Sequence, residues 1–109
     1  MVKAVSRFEV WLVALDPVRG SEMRKTRPCL VVSPDEMNGW LRTIIVAPMT
    51  TVGRAWPSRV PVVFEGRSGE IALDQVRTVD KERLTKRLGS VPDETQRAVS
   101  DTLVEMFTL

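Results

Sequence analysis

From Phe8 to Val91 the apolar residues come in short runs, each cut off by a proline, a glycine or a polar cluster, and a stripe at helical spacing follows only after Pro92. That pattern leaves few folded solutions. Phe8–Ala14 is rich in strand formers and closes at the turn Asp16-Pro17. Arg19–Thr26 is polar and contains glycine, which predicts a loop. Pro28–Ser33 reads as a buried strand with its proline at the entry, where a missing donor costs least. Pro34–Gly39 suits one helical turn, with Ser33 as cap and Pro34 at the first position. Arg42–Met49, with Ile44-Ile45-Val46-Ala47 at its middle, is apolar on both faces and predicts a central strand.

Thr50–Ser58 breaks the pattern and predicts a long exposed loop. Arg59–Phe64 is a further strand that Pro61 pushes towards an edge or a bulge. Glu65–Gly69 predicts a turn, Glu70–Leu73 a strand, Asp80–Arg83 a helical turn and Leu84–Val91 a last strand. Pro92 then opens a helix with Asp93 and Glu94 at its positive end, and Val99, Leu103 and Met106 form its apolar stripe. With no strand–helix–strand alternation, a doubly wound parallel sheet is disfavoured. The expected fold is mainly β with α: one domain over residues 1–109, a small SH3-like twisted barrel of five to seven strands closed by a C-terminal helix. The longest apolar runs fall far short of the roughly 20 residues of a membrane span.

Composition narrows the chemistry. The chain has no histidine and a single cysteine, Cys29. Zinc and most transition metals want imidazole or thiolate, so a metal centre of that kind is not expected. Histidine-driven catalysis is closed to one chain, whereas a carboxylate-only magnesium site stays open. One cysteine makes no internal disulfide, and no apolar signal core accompanies Lys3 and Arg7, so a cytoplasmic location is expected. Of the 16 basic residues 12 are arginine, the side chain that forks onto phosphate and stacks on bases. Between Met37 and Phe64, Arg42, Arg54 and Arg59 meet no carboxylate, while Asp93, Glu94, Asp101 and Glu105 near the end face only Arg97. One surface is therefore expected to be positive and another negative, as suits a protein that guides a polyanion.

The order of motifs resembles the MazF/PemK family of toxin–antitoxin endoribonucleases over nearly the whole chain. Phe8–Val13 with Asp16-Pro17 is similar to the family's first strand and turn. Gly20-Ser21-Glu22, then Arg27-Pro28 and Leu30-Val31-Val32-Ser33-Pro34, resemble its signature loop and second strand. Val46–Thr51 resembles its third strand, which ends in a hydroxyl pair. Trp56-Pro57 sits where an aromatic–proline step is common, and Leu73–Arg77 looks like an acidic–glutamine segment.

The resemblance implies a homodimer that cuts single-stranded RNA (mRNA) at a short preferred sequence, without metal or other cofactor, and an antitoxin whose disordered acidic tail blocks it. By position, Arg27 and Thr50 match the arginine and threonine treated as catalytic in the MazF branch, and Glu22 matches an implicated loop glutamate. Thr51, Arg54, Trp56, Asp74 and Gln75 are the expected substrate-binding residues. In the Kid/PemK branch an arginine stands two residues before the aspartate, and here Ala72 takes its place, so Asp74 is left without that partner. Thr26 stands where some relatives carry histidine.

The implied chemistry is attack by the RNA's own 2′-hydroxyl on the adjacent phosphorus, giving a 2′,3′-cyclic phosphate and a 5′-hydroxyl end. The protein then needs in-line positioning and charge stabilisation rather than a nucleophile of its own. Arg27 suits the stabilising role, because a guanidinium stays protonated. Glu22 and Asp74 are the carboxylates available to hold Arg27 or accept a proton. Trp56, beside Arg54 and Arg59, is placed to stack an unpaired base; Trp11 is expected in the core. A non-enzymatic gyrase-poisoning toxin of the CcdB type shares the barrel, but its tryptophan–glycine–isoleucine tail is not matched by Met106-Phe107-Thr108-Leu109. An inactive RNA-binding or adapter module is the third reading.

Overall fold

The computed structural model describes residues 3–15 and 26–109. Its centre is an antiparallel hairpin-and-meander sheet of seven strands: β1 (Glu9–Ala14), β2 (Thr26–Val31), β3 (Thr43–Thr50), β4 (Arg59–Phe64), β5 (Arg67–Ala72), β6 (Arg77–Asp80) and β7 (Leu84–Ser90). A short helix α1 (Asp35–Trp40) lies between β2 and β3, and α2 (Asp93–Met106) follows β7. The strand order is β4-β5-β3-β2-β1-β7, with β6 also paired to β3.

Strand β3 curls the sheet. Its first half, Thr43–Val46, pairs with β6, and its end, Met49 and Thr50, pairs with β5. One strand edge thus serves two partners in succession, and the sheet wraps into the half-barrel expected of an SH3-like fold.

The strands lack clean alternation because both faces are covered. Val10, Leu30, Ala47 and Ile71 point into one core, together with Val60, Leu73 and Val99 of α2. Trp11, Val13, Cys29, Val31, Ile44 and Val46 fill a second core on the opposite face. Strands buried on two sides read as continuous apolar runs rather than as alternating ones. Each fully buried Leu or Ile contributes about 1.5–3 kcal/mol relative to exposure, and Leu30, Ile44, Ile71, Leu73 and Leu84 are all fully buried.

Several local expectations shift. The turn expected over Glu65–Gly69 is only Glu65-Gly66, both left-handed (φ 50° and 77°), and Phe64 already pairs with Arg67. A two-residue turn of this kind matches the twist of the flanking strands. The segment Arg77–Asp80 is an additional strand that its mixed polarity concealed. Ser33 does not cap α1. Its hydroxyl donates to Asn38 Oδ1 (2.6 Å) and accepts from the Ile45 amide (3.0 Å), tying α1 to β3, and Pro34 takes the cap position. In α2, Val99 is buried and Leu103 packs against the core, but Met106 at the end of the expected stripe is exposed. No helix among the described residues is long and apolar enough to cross a membrane.

Candidate nucleic-acid groove

β2 enters the sheet through Thr26-Arg27-Pro28, with Arg27 opposite Val13 and Pro28 opposite Leu12. The ladder fixes the backbone at position 27, and its side chain lies in solvent at the sheet's end. Burial pushes the neighbouring Cys29 thiol up to about 12, while the positive charges of Arg27 and Arg77 pull the other way.

Thr50 closes β3 at that end, opposite Glu70 of β5. Its Oγ1 accepts the Val52 amide (3.1 Å), which engages one lone pair and leaves the hydroxyl proton free to donate elsewhere. The strand-end role and an outward-facing O–H are thus compatible. Gly69 packs so closely on this corner that a Cβ there would lie 2.4 Å from the Thr50 carbonyl oxygen. Arg27, Thr50 and Thr51 line one open groove of about 750 Å³, with Leu12, Met49 and Phe64 among its apolar walls. Glu22 lies in the segment 16–25, outside the described residues.

The groove's charge is mixed rather than uniformly positive. Glu65 and Glu70 line it along with Arg27 and Arg67. The Glu70 charge is largely spent. Its oxygens accept the backbone amides of Arg54 (2.9 Å) and Ala55 (3.1 Å), and Arg59 Nη1 lies 3.5 Å away. The Arg54 amide, with support from Ala55 and Arg59, holds this carboxyl below its ordinary range against the opposing effect of burial.

Arg59 departs most from expectation. The sequence places it in a carboxylate-free stretch, as part of a positive surface, but the fold buries it between Asp74 and Glu70. Nε donates to Asp74 Oδ1 at 2.6 Å and Nη2 to Oδ2 at 3.3 Å, and the Ser58 hydroxyl adds a bond of 2.9 Å to Oδ1. The Arg59 hydrogen bond holds the Asp74 carboxyl below its usual range. Asp74 is therefore not left without a guanidinium, and it is not the carboxylate that holds Arg27. Arg59 stands directly opposite Ala72 in the β4–β5 ladder, so the neighbouring strand supplies what position 72 lacks. Cross-strand register, which spacing along one segment does not display, hides the pairing of Arg59 with Asp74 from the sequence.

Trp56 is half exposed, with the Arg59 guanidinium 4.9 Å from its ring centroid and that of Arg54 5.9 Å away. The ring thus folds back on Arg59 while half of its surface stays in solvent. Arg54, Trp56, Asp74 and Gln75 do not line the groove of Arg27 and Thr50; Gln75 is exposed on the short 3-10 turn Leu73–Gln75. Trp11 is buried as expected, and its indole donates to Glu9 (3.2 Å). Among the described residues no three His, Cys, Asp or Glu side chains gather as a metal site would need.

A family model described as PemK-like, MazF-like toxin of type II toxin–antitoxin systems matches residues 6–107. A protein of Escherichia coli named Endoribonuclease PemK is 37% identical over 110 residues, covering 95% of this chain and 83% of the relative. Among solved structures, MazE–MazF from Deinococcus radiodurans (Form-II) superposes with a TM-score of 0.81 at 24% identity, covering 95% and 96% of the two chains. An endoribonuclease in complex with its cognate antitoxin, from a mycobacterial species, superposes with a TM-score of 0.79 at 24% identity over 94% and 93% of the two chains.

Proposed function

The chain belongs to the PemK-like, MazF-like toxins of type II toxin–antitoxin systems, and on that premise we propose that it is an endoribonuclease that cuts single-stranded RNA in the groove of Arg27 and Thr50. The observation that carries this reading is the convergence of those two residues, from different strands, on one open groove.

The chemistry follows from what the groove offers. The substrate's 2′-hydroxyl attacks the adjacent phosphorus as its proton leaves. The bond to the 5′-oxygen breaks, and that oxygen takes up a proton. The products are a 2′,3′-cyclic phosphate and a 5′-hydroxyl end. Negative charge grows on the non-bridging oxygens, where the Arg27 guanidinium supplies two parallel donors and a charge that does not titrate away. The Thr50 hydroxyl, its lone pair already engaged by the Val52 amide, donates its proton to a phosphate oxygen. Thr51 lies on the same rim. Glu22 is assigned the carboxylate role, holding Arg27 or taking the 2′-hydroxyl proton.

Arg54 and Trp56 bind an unpaired base outside the groove, on the loop between β3 and β4, and Asp74 with Gln75 belongs to the adjoining 3-10 turn. The reaction proceeds without a metal and with sequence preference. The chain works as a cytoplasmic homodimer, and an antitoxin with an acidic tail neutralises it by occupying the groove. The match to the PemK-like, MazF-like family and the relative named Endoribonuclease PemK favour the nuclease reading over a gyrase-poisoning one.

The test is incubation of the purified protein with a long unstructured RNA in the presence of chelator. Cutting that leaves 5′-hydroxyl ends is expected, and Arg27→Ala should abolish it while the folded state and RNA binding persist. Unchanged cutting by that variant would overturn the assignment.

A further inference from the structure

We infer that Glu70 is a positioning residue for base recognition: its carboxylate holds the 51–57 loop in the shape that presents Trp56 to an unpaired nucleobase beside the scissile phosphate. This rests on the endoribonuclease reading above.

A carboxylate lining a groove meant for a polyanion repels its own substrate, so its presence needs a structural reason. Glu70 has one. It stands opposite Thr50 in the β3–β5 ladder, so its backbone belongs to the groove. Its side chain, only 12% exposed, reaches under the loop and accepts the consecutive amides of Arg54 and Ala55. Two adjacent amides aimed at one carboxylate fix the peptide planes on either side of Arg54. Ala55 is held left-handed (φ 54°), a conformation that non-glycine residues adopt at a cost and keep only when surrounding bonds impose it.

The same carboxylate meets Arg59, on which the Trp56 ring rests. The Arg59 amide in turn donates to the Trp56 carbonyl (3.0 Å). The loop residues 51–57 are otherwise exposed throughout, so this pair of anchors sets where the indole stands. Arg59 backs the ring at 4.9 Å, the Arg54 guanidinium stands further off at 5.9 Å, and half of the indole is in solvent, cations beside an exposed aromatic surface on which a base can stack. Glu70 therefore lines the groove of Thr50 and, through the Arg54 and Ala55 amides and Arg59, links it to the loop that carries Trp56.

The experiment compares wild type with Glu70→Gln by mapping all cleavage ends on one long unstructured transcript, and by measuring kcat and KM on an oligonucleotide carrying the wild-type preferred site. Glu70→Gln keeps the size of the side chain but weakens its hold on two amides and a guanidinium. It should raise KM roughly tenfold, as loss of one stacked base does, leave kcat within about twofold, and broaden the base preference at one position. Ala55→Pro, which removes one of the two amides and cannot adopt the left-handed conformation, leaves Glu70 and the groove intact. It should broaden the same position, and it keeps the test decisive if Glu70→Gln does not fold. Unchanged cleavage maps in both variants would overturn the inference, as would a fall in kcat with preference retained. Absence of cutting by the wild type would instead bring down the nuclease reading on which it rests.

Discussion

Replacing Gly69 with alanine should impair RNA cutting far more than it impairs folding. A Cβ at this position would lie 2.4 Å from the Thr50 carbonyl oxygen and 3.2 Å from its carbonyl carbon, and 3.6 Å from Thr51 Cα. All three are backbone atoms, so no side chain can swing aside. Restoring an ordinary contact of roughly 3.4 Å requires the β3 corner and β5 to separate by about 1 Å. Overpacking on this scale costs about 1–3 kcal/mol of stability, and each kcal/mol lowers the melting temperature of a domain of this size by roughly 4 °C or more. A displacement of 1 Å between reacting groups can cost about 100-fold in rate. Single-turnover cleavage by Gly69→Ala is therefore expected to slow by about two orders of magnitude at temperatures where the protein remains folded. Gly66→Ala is the control. Gly66 is left-handed (φ 77°), so alanine is strained there by about 1–2 kcal/mol, but a Cβ would meet nothing within 4 Å. It should lose comparable stability and keep its rate. Equal rates for the two variants would refute the claim that backbone approach at Gly69 sets the position of Thr50.

Two further outcomes follow from the carboxylates and the thiol. Glu70 and Asp74 have carboxyls held below their ordinary range by the loop amides and Arg59, and Glu9 is held low by the Ser6 amide and Arg87 despite partial burial. A lowered folded-state value gives stability that is fully present above the unfolded carboxylate range and is lost as pH falls through the folded one. The melting temperature should thus stay level from pH 8 to about 5 and fall below about pH 4, and Asp74→Asn should lower the neutral plateau and flatten the acid limb; a plateau unaffected by that change would contradict the Arg59–Asp74 assignment. Cys29 is fully buried with its thiol pushed up to about 12, so a thiol reagent at pH 8 should label it only as the protein unfolds, and rapid labelling of the native protein would place it elsewhere.

Much of the fold was legible because strand-length apolar runs and punctuating prolines are local signals. Pro61 marked β4 as an edge or a bulged strand, and it is an edge strand in unbroken register with β5. The helix after Pro92 was equally plain. The sequence was silent where partners are distant along the chain. Arg77–Asp80 looks like a polar connection until β3 offers it a free edge, and Arg59 looks like a surface charge until the ladder sets it opposite Ala72. For the site, Arg27 and Thr50 were named from family resemblance, and the three-dimensional fact that both line one groove came only with the fold. Glu70 gave no signal, because a lone glutamate opening a strand has no pattern; its meaning lies in two amides 15 and 16 residues away.

The central claim is that the RNA supplies its own nucleophile in the groove of Arg27 and Thr50. The most direct measurement uses two oligonucleotides with the preferred cleavage site, one all-RNA and one with a single 2′-deoxy substitution at the scissile nucleotide. Both should bind with similar affinity, and only the all-RNA strand should be cut at that bond. Cutting of the 2′-deoxy strand at the same position would contradict the account.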